Sequence, residues 1–519
     1  MDKPSGKLYN ITCGQMSVVE RGRDMAKKVI LFIIDSLHPA ALEAGFALGT
    51  APAMSFLAQN GHYHNDCVSS FPTMTPVATS SIVTGMWPDK HHVPGFIWYN
   101  PSTKWFVNYG ATWHAILKMG PDQILKNILK NLNAEHLNPK VPTVYEKLGE
   151  HGLLSGVINF FIHRAKLQHQ AKVPFLLRML SHFKFYDENV GGPEILTLGE
   201  LLQPSFTKPF RKLPVGPLNR FGFNDIFSGK IAANIIAEGK QPDFLLVYLP
   251  DNDKYSHVRG PLQSLPAIAR ADRQIRGVLD ALGPWNQALE DNVFIVMGDH
   301  SQTTIGKNPE NIIDLDKVLG KFQRLALRNR SDENTELALC PNERMAIIYI
   351  LKNKRQVLED VAGVLAADPR HTQIAWREKR NCYKVIQGGS QRVLSFWRKG
   401  PHADIHGNMW GYEGELGVMD AKLDGQGNLV FGDYPDAFCR LQSALDSRQG
   451  TRIILSAAPG YEYKAEGAPI HPGGGSHGSL EKEDSHVPLI IAGTPKNIAN
   501  PRIIDIFPFV LDNFEIVNG

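Results

Sequence analysis

Short runs of consecutive apolar residues recur along the chain, separated by longer amphipathic or polar stretches. Runs of this length without polar alternation are typical of strands buried on both faces, as in a parallel sheet covered by helices. They occupy residues 29–34, 244–249, 293–297, 346–351, 453–455 and 487–492. Helical periodicity lies between them, for example over residues 143–151 and 264–282. The alternation predicts a doubly wound α/β fold, with a mostly parallel sheet between layers of helices.

Two regions interrupt this alternation and divide the chain of 519 residues into predicted parts. Residues 100–224 mix helical and loop signals and are predicted to form a helical insertion or cap. Residues 352–449 are rich in glycine, arginine and turn signals and are predicted to form an α+β insertion. Both would interrupt one catalytic domain at residues 25–515, which an N-terminal extension at residues 1–24 would precede.

Three of the apolar runs end close to side chains of the kind that bind metal ions. In an open α/β sheet, ligands bind beyond the carboxyl ends of the strands. A further histidine lies in the glycine-rich stretch 473–478, before the run at 487–492. The candidate metal ligands are Asp35, Asp253, His257, Asp299, His300 and His477.

Each candidate also has an ordinary structural interpretation. An aspartate after a strand commonly caps the next helix, and an Asp-x-x-x-His pair such as Asp253 and His257 is commonly part of a solvated helix face. Their combination favours a metal centre, because the spacing of this pair places both side chains on one side of a helical turn. Carboxylate oxygen and imidazole nitrogen are the usual donors at catalytic zinc. Divalent ions would also neutralise the repulsion between carboxylates at one sheet edge.

A candidate nucleophile, Thr75, directly precedes Pro76 at a predicted helix start. The pair fits a helix with Thr75 at the N-cap and proline at the first helical position, so plain capping is the alternative role. Backbone N–H groups at a helix N-terminus favour an alkoxide and a bound phosphate. A nearby metal ion would lower the pKa of the threonine hydroxyl further.

Together these motifs resemble the alkaline phosphatase superfamily, and within it the type I phosphodiesterase/nucleotide pyrophosphatase branch. The matching residues are Asp35, the Pro-Thr-Met-Thr stretch that ends at Thr75, Asp253 with His257, Asp299 with His300, and the Ser-His-Gly stretch around His477. The resemblance implies two divalent ions, expected to be zinc, one held by Asp35, Thr75, Asp299 and His300 and the other by Asp253, His257 and His477. It also implies a phosphodiesterase/nucleotide pyrophosphatase-like hydrolase in which Thr75 attacks phosphorus and forms a phosphothreonine intermediate.

The chain departs from this family directly after the candidate nucleophile. Nucleotide pyrophosphatases typically continue with Phe-Pro-Asn, in which Phe stacks on the nucleobase and Asn donates to a phosphate oxygen. Here the positions hold Pro76, Val77 and Ala78, so the resemblance does not extend to nucleotide specificity.

Other activities on the same scaffold stay open. A phosphomonoesterase or phosphonate hydrolase is one alternative, and a catalytically silent metal-binding protein is another. A sulfatase is disfavoured because Cys67 lacks the following Pro-x-Arg pattern. A cofactor-independent phosphomutase is disfavoured because such enzymes use serine as the nucleophile.

Composition narrows the expected partners. The formal net charge is +3 and 21% of the residues are charged, which argues against a nucleic-acid polymer because such binding needs a strongly basic face. No stretch of about 20 apolar residues occurs, so no stable membrane insertion is expected. The apolar run at residues 29–34 is too short for a signal-peptide core. These features predict a cytoplasmic enzyme that acts on a small-molecule phosphate ester, and they leave the oligomeric state open.

Overall fold

The computed structural model describes residues 26–180, 188–204 and 213–517. The predicted N-terminal extension at residues 1–24 therefore lies outside the described residues.

Two large sheets organise the described part of the chain, and each contains seven strands. The strands, numbered in chain order, are β1 (Lys28–Ile34), β2 (Gly61–Val68), β3 (Ser155–Ile158), β4 (Ile195–Thr197), β5 (Phe244–Leu249), β6 (Asn292–Gly298), β7 (Leu337–Asn342), β8 (Met345–Ile350), β9 (His371–Lys379), β10 (Cys382–Ile386), β11 (Val393–Ala403), β12 (Met409–Gly414), β13 (Arg452–Ala457) and β14 (His486–Ala492). Smaller two-stranded sheets pair Ile97–Asn100 with Trp105–Asn108, Leu167–Ala171 with Glu188–Gly192, Thr303–Thr304 with Gly475–Ser476, Ile312–Asp314 with Glu462–Lys464, and Ala421–Leu423 with Leu429–Phe431.

Helices connect these strands and cover them. The α-helices are α1 (Pro39–Ala47), α2 (Pro52–Gln59), α3 (Thr75–Thr84), α4 (Pro88–His91), α5 (Trp113–Met119), α6 (Pro121–Lys126), α7 (Val144–Glu150), α8 (Phe175–Leu180), α9 (Asp225–Ala237), α10 (Asp251–Arg259), α11 (Leu265–Leu282), α12 (Trp285–Asp291), α13 (Leu315–Val318), α14 (Lys354–Ala366), α15 (Ala437–Asp446), α16 (Lys482–Ser485) and α17 (Ile506–Asn513). A π-helix spans Asn127–His136, and short 3-10 turns span Pro217–Gly222, Pro261–Gln263, Pro309–Asn311, Leu416–Met419 and Ile503–Asp505.

The central sheet is mostly parallel. Its strand order is β2-β14-β6-β1-β5-β3-β4. Strand β14 runs antiparallel to both of its neighbours, β6 and β2, and the other adjacent pairs are parallel. This arrangement confirms the predicted α/β fold with a mostly parallel sheet.

Both faces of the central sheet are buried, which explains the continuous apolar runs. Along β1, Ile30, Phe32 and Ile34 pack in a core formed with helices α1, α2, α9 and α11. The alternate side chains, such as Leu31 and Ile33, pack in a second core formed with α3, α7 and α17. A strand with apolar neighbours on both faces has no position at which a polar side chain is favoured.

Two of the runs assigned to the parallel sheet lie elsewhere. The runs at residues 346–351 and 453–455 fall in β8 and β13 of the second sheet, whose order is β7-β8-β13-β9-β10-β11-β12 and whose adjacent strands are all antiparallel. One face of this sheet packs on α14 and the other joins the core of the central sheet. Burial on both faces therefore produces the same apolar pattern in an antiparallel sheet.

The two predicted insertions contain mixed structure. Residues 100–224 hold α5–α8 and the π-helix together with strands β3 and β4 of the central sheet. Residues 352–449 hold α14, α15 and strands β9–β12, while β7, β8 and β13 of the same sheet lie outside that range. The domain boundaries stay predictions.

In the described ranges, no single helix is long and apolar enough to cross a membrane. The bent pair formed by α1 and α2, at 97° to each other, meets that criterion by length and composition only.

A buried carboxylate fixes the start of α2 against α11. Asp272 of α11 is almost fully buried and accepts hydrogen bonds from the backbone N–H groups of Ala53 and Met54, at 3.3 and 2.8 Å. It thereby satisfies two of the N–H groups that a helix start leaves without intrahelical partners.

We expect Asp272→Ala to lower the free energy of unfolding by about 1–3 kcal/mol, because two buried N–H groups would lose their acceptor. Urea unfolding followed by tryptophan fluorescence measures this change. Asp280→Ala on the same helix removes a carboxylate that is 54% exposed and should cost less than about 1 kcal/mol. Equal destabilisation by the two variants would contradict the capping role of Asp272.

Candidate metal centre

The carboxyl edge of the central sheet gathers all the predicted site residues. Asp35 directly follows β1, and Asp299 directly follows β6 and precedes His300. Asp253 and His257 lie one turn apart on α10, which begins after β5. Because β5, β1 and β6 are adjacent parallel strands, their carboxyl ends meet at one place. Thr75 at the start of α3 and His477 in the loop before α16 complete the set.

The first group of side chains surrounds His300. Its Nε2 atom lies 3.6 Å from Oδ1 of Asp35, 3.7 Å from Oδ2 of Asp299 and 3.1 Å from Oγ1 of Thr75. The donor atoms of Asp35, Asp299 and His300 all lie within 4.8 Å of one another, which is close enough to share one ion. The candidate nucleophile is therefore beside this group.

The second group surrounds Asp253. Its Oδ1 atom lies 3.1 Å from Nε2 of His257 and 3.8 Å from Nε2 of His477. The donor atoms of Asp253, His300 and His477 also lie within 4.8 Å of one another. The two groups thus adjoin, and we call the seven residues Asp35, Thr75, Asp253, His257, Asp299, His300 and His477 the candidate metal centre.

Outer contacts aim the two histidines of the second group inward. The Nδ1 atom of His257 lies 2.8 Å from the carbonyl oxygen of Gly475, and Nδ1 of His477 lies 2.6 Å from that of Thr73. These contacts leave each Nε2 atom facing the centre, as in metal sites where a second partner orients the imidazole. Glycine at position 475 permits the close approach, because a Cβ there would lie 2.8 Å from the carbonyl oxygen of Ser256.

Each carboxylate of the first group keeps one oxygen without a protein partner. Oδ1 of Asp299 accepts hydrogen bonds from the N–H groups of Ser36 and His300, at 3.1 and 2.9 Å. Oδ2 of Asp35 accepts a hydrogen bond from the hydroxyl of Tyr248. The other oxygens, Oδ1 of Asp35 and Oδ2 of Asp299, are buried and have no hydrogen-bond partner among the described residues.

Burial and mutual repulsion raise the pKa of two of the carboxyl groups. Burial, followed by the charges of Asp299 and Asp253, raises the pKa of Asp35 well above its usual value. Burial raises the pKa of Asp299 to about 7, although N–H groups from Ser36 and His300 act in the opposite direction. Without a cation, this group of carboxylates is electrostatically unfavourable.

In the second group, neighbouring imidazoles compensate the negative charge of the carboxylate. Burial alone would raise the pKa of Asp253, but the imidazoles of His257 and His477 hold it well below its usual value. Burial opposes the protonation of His257, but the carboxylates of Asp253 and Glu343 outweigh it and raise its pKa to about 10. Carboxylates and imidazoles therefore attract each other where the cation would lie.

These observations fit divalent cations. The two unpartnered carboxylate oxygens, the inward Nε2 atoms and the repulsion between carboxylates all call for positive charge at this place. The donor set of carboxylate oxygen, imidazole nitrogen and a threonine hydroxyl suits zinc.

The structure brings in residues that the sequence did not indicate. Glu343 lies in the turn between β7 and β8, with Oε1 at 3.8 Å from Nε2 of His257 and Oε2 at 3.4 Å from Nε2 of His477. Polar residues in a hairpin turn are typical of solvent-exposed loops, so the local sequence carries no signal for Glu343. Its proximity depends on how the second sheet docks against the central sheet.

Two further polar side chains support Asp253. The Oγ of Ser36 and the Nε2 of Gln302 each donate to its Oδ1, at 2.7 and 2.8 Å. Both follow a predicted ligand closely in the chain, Ser36 after Asp35 and Gln302 after His300. A search of the residues around each strand end would have found them.

Helix α3 begins one residue earlier than predicted, since the sequence predicts Thr75 as the N-cap. The helix begins at Thr75, with Met74 at the N-cap, because Thr75 already has helical backbone geometry. Pro76, Val77 and Ala78 are all buried within the first turn. These three residues supply neither the aromatic ring nor the amide that nucleotide pyrophosphatases typically have after the nucleophile.

Comparisons with known proteins agree with this geometry. The family model described as type I phosphodiesterase / nucleotide pyrophosphatase matches residues 29–397. No curated protein sequence matches the chain.

Solved structures share the fold. The murine ectonucleotide pyrophosphatase / phosphodiesterase 5 has a TM-score of 0.54 at 13% identity, with 95% of this chain and 96% of that chain covered. An inactive threonine-to-alanine variant of the murine protein in complex with AMP gives 0.55 at 14% identity with the same coverage. The human protein gives 0.54 at 15% identity, again with the same coverage.

The family match extends over well over half of the chain and includes six of the seven residues of the candidate metal centre, all except His477. The chain belongs to the type I phosphodiesterase / nucleotide pyrophosphatase family.

Proposed function

We propose that this chain is a metal-dependent hydrolase of phosphodiesters or pyrophosphates that uses Thr75 as its nucleophile. Family membership supports a phosphoric ester hydrolase. The single observation that carries the more specific proposal is the position of the Thr75 hydroxyl, 3.1 Å from Nε2 of His300 and beside two buried carboxylates with unpartnered oxygens.

Two divalent cations, expected to be zinc, would be held by residues of the two groups. Asp35, Thr75, Asp299 and His300 would hold one, and Asp253, His257 and His477 would hold the other. When bound, the cations would neutralise the clustered carboxylates, attract the phosphate group and lower the pKa of the Thr75 hydroxyl.

The side chain of Thr75 forms and then loses one covalent bond in the proposed reaction. The hydroxyl gives up its proton to solvent, its oxygen bonds to phosphorus, and the bond from phosphorus to the leaving oxygen breaks. The leaving alcohol or phosphate takes up a proton as it departs. Water then cleaves the phosphothreonine ester and restores the Thr75 hydroxyl.

The start of α3 positions this oxygen. Thr75 is mostly buried, and its carbonyl oxygen accepts a hydrogen bond of 2.6 Å from the hydroxyl of Thr79 one turn later. A nucleophile on the first turn of a packed helix has little freedom to leave the reactive position.

The substrate is proposed to be a small molecule. The AMP bound to the murine relative supports a nucleotide-sized ester as one class to test. Phosphomonoesters and phosphonates are the alternatives that a substrate panel would separate from diesters. The cytoplasmic location expected from the sequence stays a prediction.

We expect Thr75→Ala to reduce hydrolysis of bis(p-nitrophenyl) phosphate by at least about 10³-fold, because the attacking oxygen is removed. Absorbance of released nitrophenolate measures turnover, and elemental analysis measures bound zinc. Thr84→Ala, at the other end of the same helix, is the matched control, because the Thr84 hydroxyl donates to the backbone carbonyl oxygen of Ser80. Retained turnover in Thr75→Ala would contradict the covalent route.

We expect removal of metal by a chelator to abolish turnover and to lower the melting temperature, since repulsion among Asp35, Asp253 and Asp299 would return. A ligand present at about 100 times its Kd stabilises the folded state by about 2.7 kcal/mol, so added zinc should restore both activity and melting temperature. Scanning fluorimetry with and without zinc makes the measurement. Full activity in chelated, zinc-free protein would exclude the metal-dependent mechanism.

A further inference from the structure

A cavity of about 380 Å³ opens beside the candidate metal centre. Asp35 and Asp253 of that centre line the cavity together with Tyr248, so it offers space for a substituent of a phosphate group at the metal centre. Its volume is roughly two and a half times that of a 150 Å³ cavity that holds benzene. It can therefore accommodate a fused aromatic ring or an alkyl chain of medium length.

Most of the cavity wall is apolar. Leucine, isoleucine and phenylalanine side chains from separate segments form it, including Leu125 and Ile128 before and within the π-helix, Phe161 after β3 and Phe223 before α9. Apolar walls bind apolar groups without directional contacts, and each CH₂ group removed from water improves affinity roughly fourfold.

Away from the candidate metal centre, several polar side chains of the described wall already have partners within the protein. The Asn159 amide donates to the carbonyl of Gly222 and to Ser228, both at 2.9 Å, and accepts from the N–H of Gly199 at 2.7 Å. The Nδ1 atom of His163 lies 2.8 Å from the carbonyl oxygen of Gly191.

Two more wall residues have partners of their own. The hydroxyl of Tyr109 lies 2.9 Å from Nδ1 of His136. Arg220 forms an ion pair with Asp251. A nucleobase is selected by free donors and acceptors that match its edge, whereas the hydroxyl of Tyr109, the amide of Asn159 and the imidazole of His163 already have partners.

We propose that the cavity binds the apolar alkyl or aromatic group of a phosphodiester, so that the preferred substrates are diesters of apolar alcohols and not nucleotides. The inference rests on the proposed function, because it needs a phosphate group at the metal centre. The first turn of α3 is consistent with this proposal, because its buried residues Pro76, Val77 and Ala78 supply no ring that could stack on a base.

A series of p-nitrophenyl alkyl phosphates with methyl, butyl and octyl groups tests the proposal on the zinc-loaded full chain. We expect kcat/KM to rise by about threefold to fourfold per CH₂ until the cavity is filled, and to exceed that for the p-nitrophenyl ester of thymidine 5′-phosphate. A flat series, or a preference for the nucleoside ester, would overturn the substrate class and leave the hydrolase intact. No hydrolysis of any diester would instead refute the proposed function.

A substitution that fills the cavity with a larger side chain tests the same proposal. Ile128→Trp should reduce the octyl-to-methyl ratio of kcat/KM by at least about tenfold, whereas Leu117→Trp, at a side chain that is 69% exposed on α5, should not change the ratio. Inhibition of the unmodified chain by methyl-, butyl- and octylphosphonate is independent of the folding of any variant. Inhibition constants that fail to fall with chain length would also overturn the proposal.

A separate observation concerns Glu343. Together with Asp253, His257 and His477, it closes a ring in which carboxylate oxygens and imidazole nitrogens alternate. The four neighbouring distances are 3.1 Å (Asp253 to His257), 3.8 Å (His257 to Glu343), 3.4 Å (Glu343 to His477) and 3.8 Å (His477 to Asp253). The distance to His257 involves Oε1 of Glu343 and the distance to His477 involves Oε2. Glu343 and His257 have donor atoms within 4.8 Å of each other, which is close enough for both to reach one ion.

The turn that carries Glu343 is held rigidly. Oε2 of Glu343 accepts hydrogen bonds from Oγ of Ser476 and the N–H of His477, at 3.0 and 3.1 Å. The next residue, Arg344, is fully buried and pairs with Asp484 at 2.5 Å. The carboxylate therefore faces the ring without needing to reorganise.

We propose that Glu343 is a fourth protein ligand of the cation held by Asp253, His257 and His477. Four carboxylates (Asp35, Asp253, Asp299 and Glu343) would then balance the four positive charges of two divalent ions. A centre of lower net charge favours the single negative charge of a diester over the double charge of a monoester.

Glu343→Gln tests this assignment, because glutamine can still accept the hydrogen bonds from Ser476 and His477. We expect zinc affinity at one site to fall by about 10- to 100-fold, measured by competition with a chelating dye. We also expect the visible spectrum of the Co²⁺-substituted protein to change as one oxygen donor is lost. Glu336→Gln, which alters a carboxylate that accepts a hydrogen bond from the N–H of Gln323, is the control. An unchanged Co²⁺ spectrum in Glu343→Gln would show that Glu343 only holds the His477 loop.

Discussion

The candidate metal centre depends on the close approach of three carboxylates, two of them buried and the third, that of Asp253, 23% exposed. Asp35, Asp253 and Asp299 follow three adjacent parallel strands, so the sheet itself forces them together. Backbone N–H groups, the hydroxyl of Tyr248 and the imidazoles compensate part of their charge, while two carboxylate oxygens stay without a protein partner. Burial of such a cluster is costly unless a cation completes it, which gives the arrangement a physical reason to bind metal.

The second sheet takes part in this arrangement through its first hairpin. The turn between β7 and β8 places Glu343 against the histidines, and Arg344 anchors that turn to Asp484. Asp484 also accepts hydrogen bonds from Thr303 and Ser479, which lie on the loops after His300 and His477. One buried carboxylate thus ties together three loops around the centre, so the position of the second sheet and the geometry of the site are coupled.

The proposed chemistry and the proposed choice of substrate depend on different parts of the chain. Most of the residues that would hold cations lie at strand ends of the central sheet and on its helices, while His477 lies in the loop before α16 and Glu343 in a hairpin of the second sheet. The apolar cavity is built largely from residues 109–223, a segment with its own short helices and strands. Solved structures with 13–15% identity share the overall fold, and at such low identity the walls of this cavity are free to differ.

The sequence by itself determined the α/β class, the strands at 29–34, 244–249 and 293–297, and the residues now found together at their ends. These are local features: a buried strand needs continuous apolar residues, and a ligand directly after it must lie at the sheet edge. Only the tertiary structure decided that the runs at 346–351 and 453–455 belong to a second, antiparallel sheet, because burial on both faces produces one pattern in either kind of sheet. It alone placed Glu343 beside His477, 134 residues away in the chain, and closed an apolar cavity beside Asp35. Such contacts depend on how whole sheets and segments pack, which no local pattern encodes.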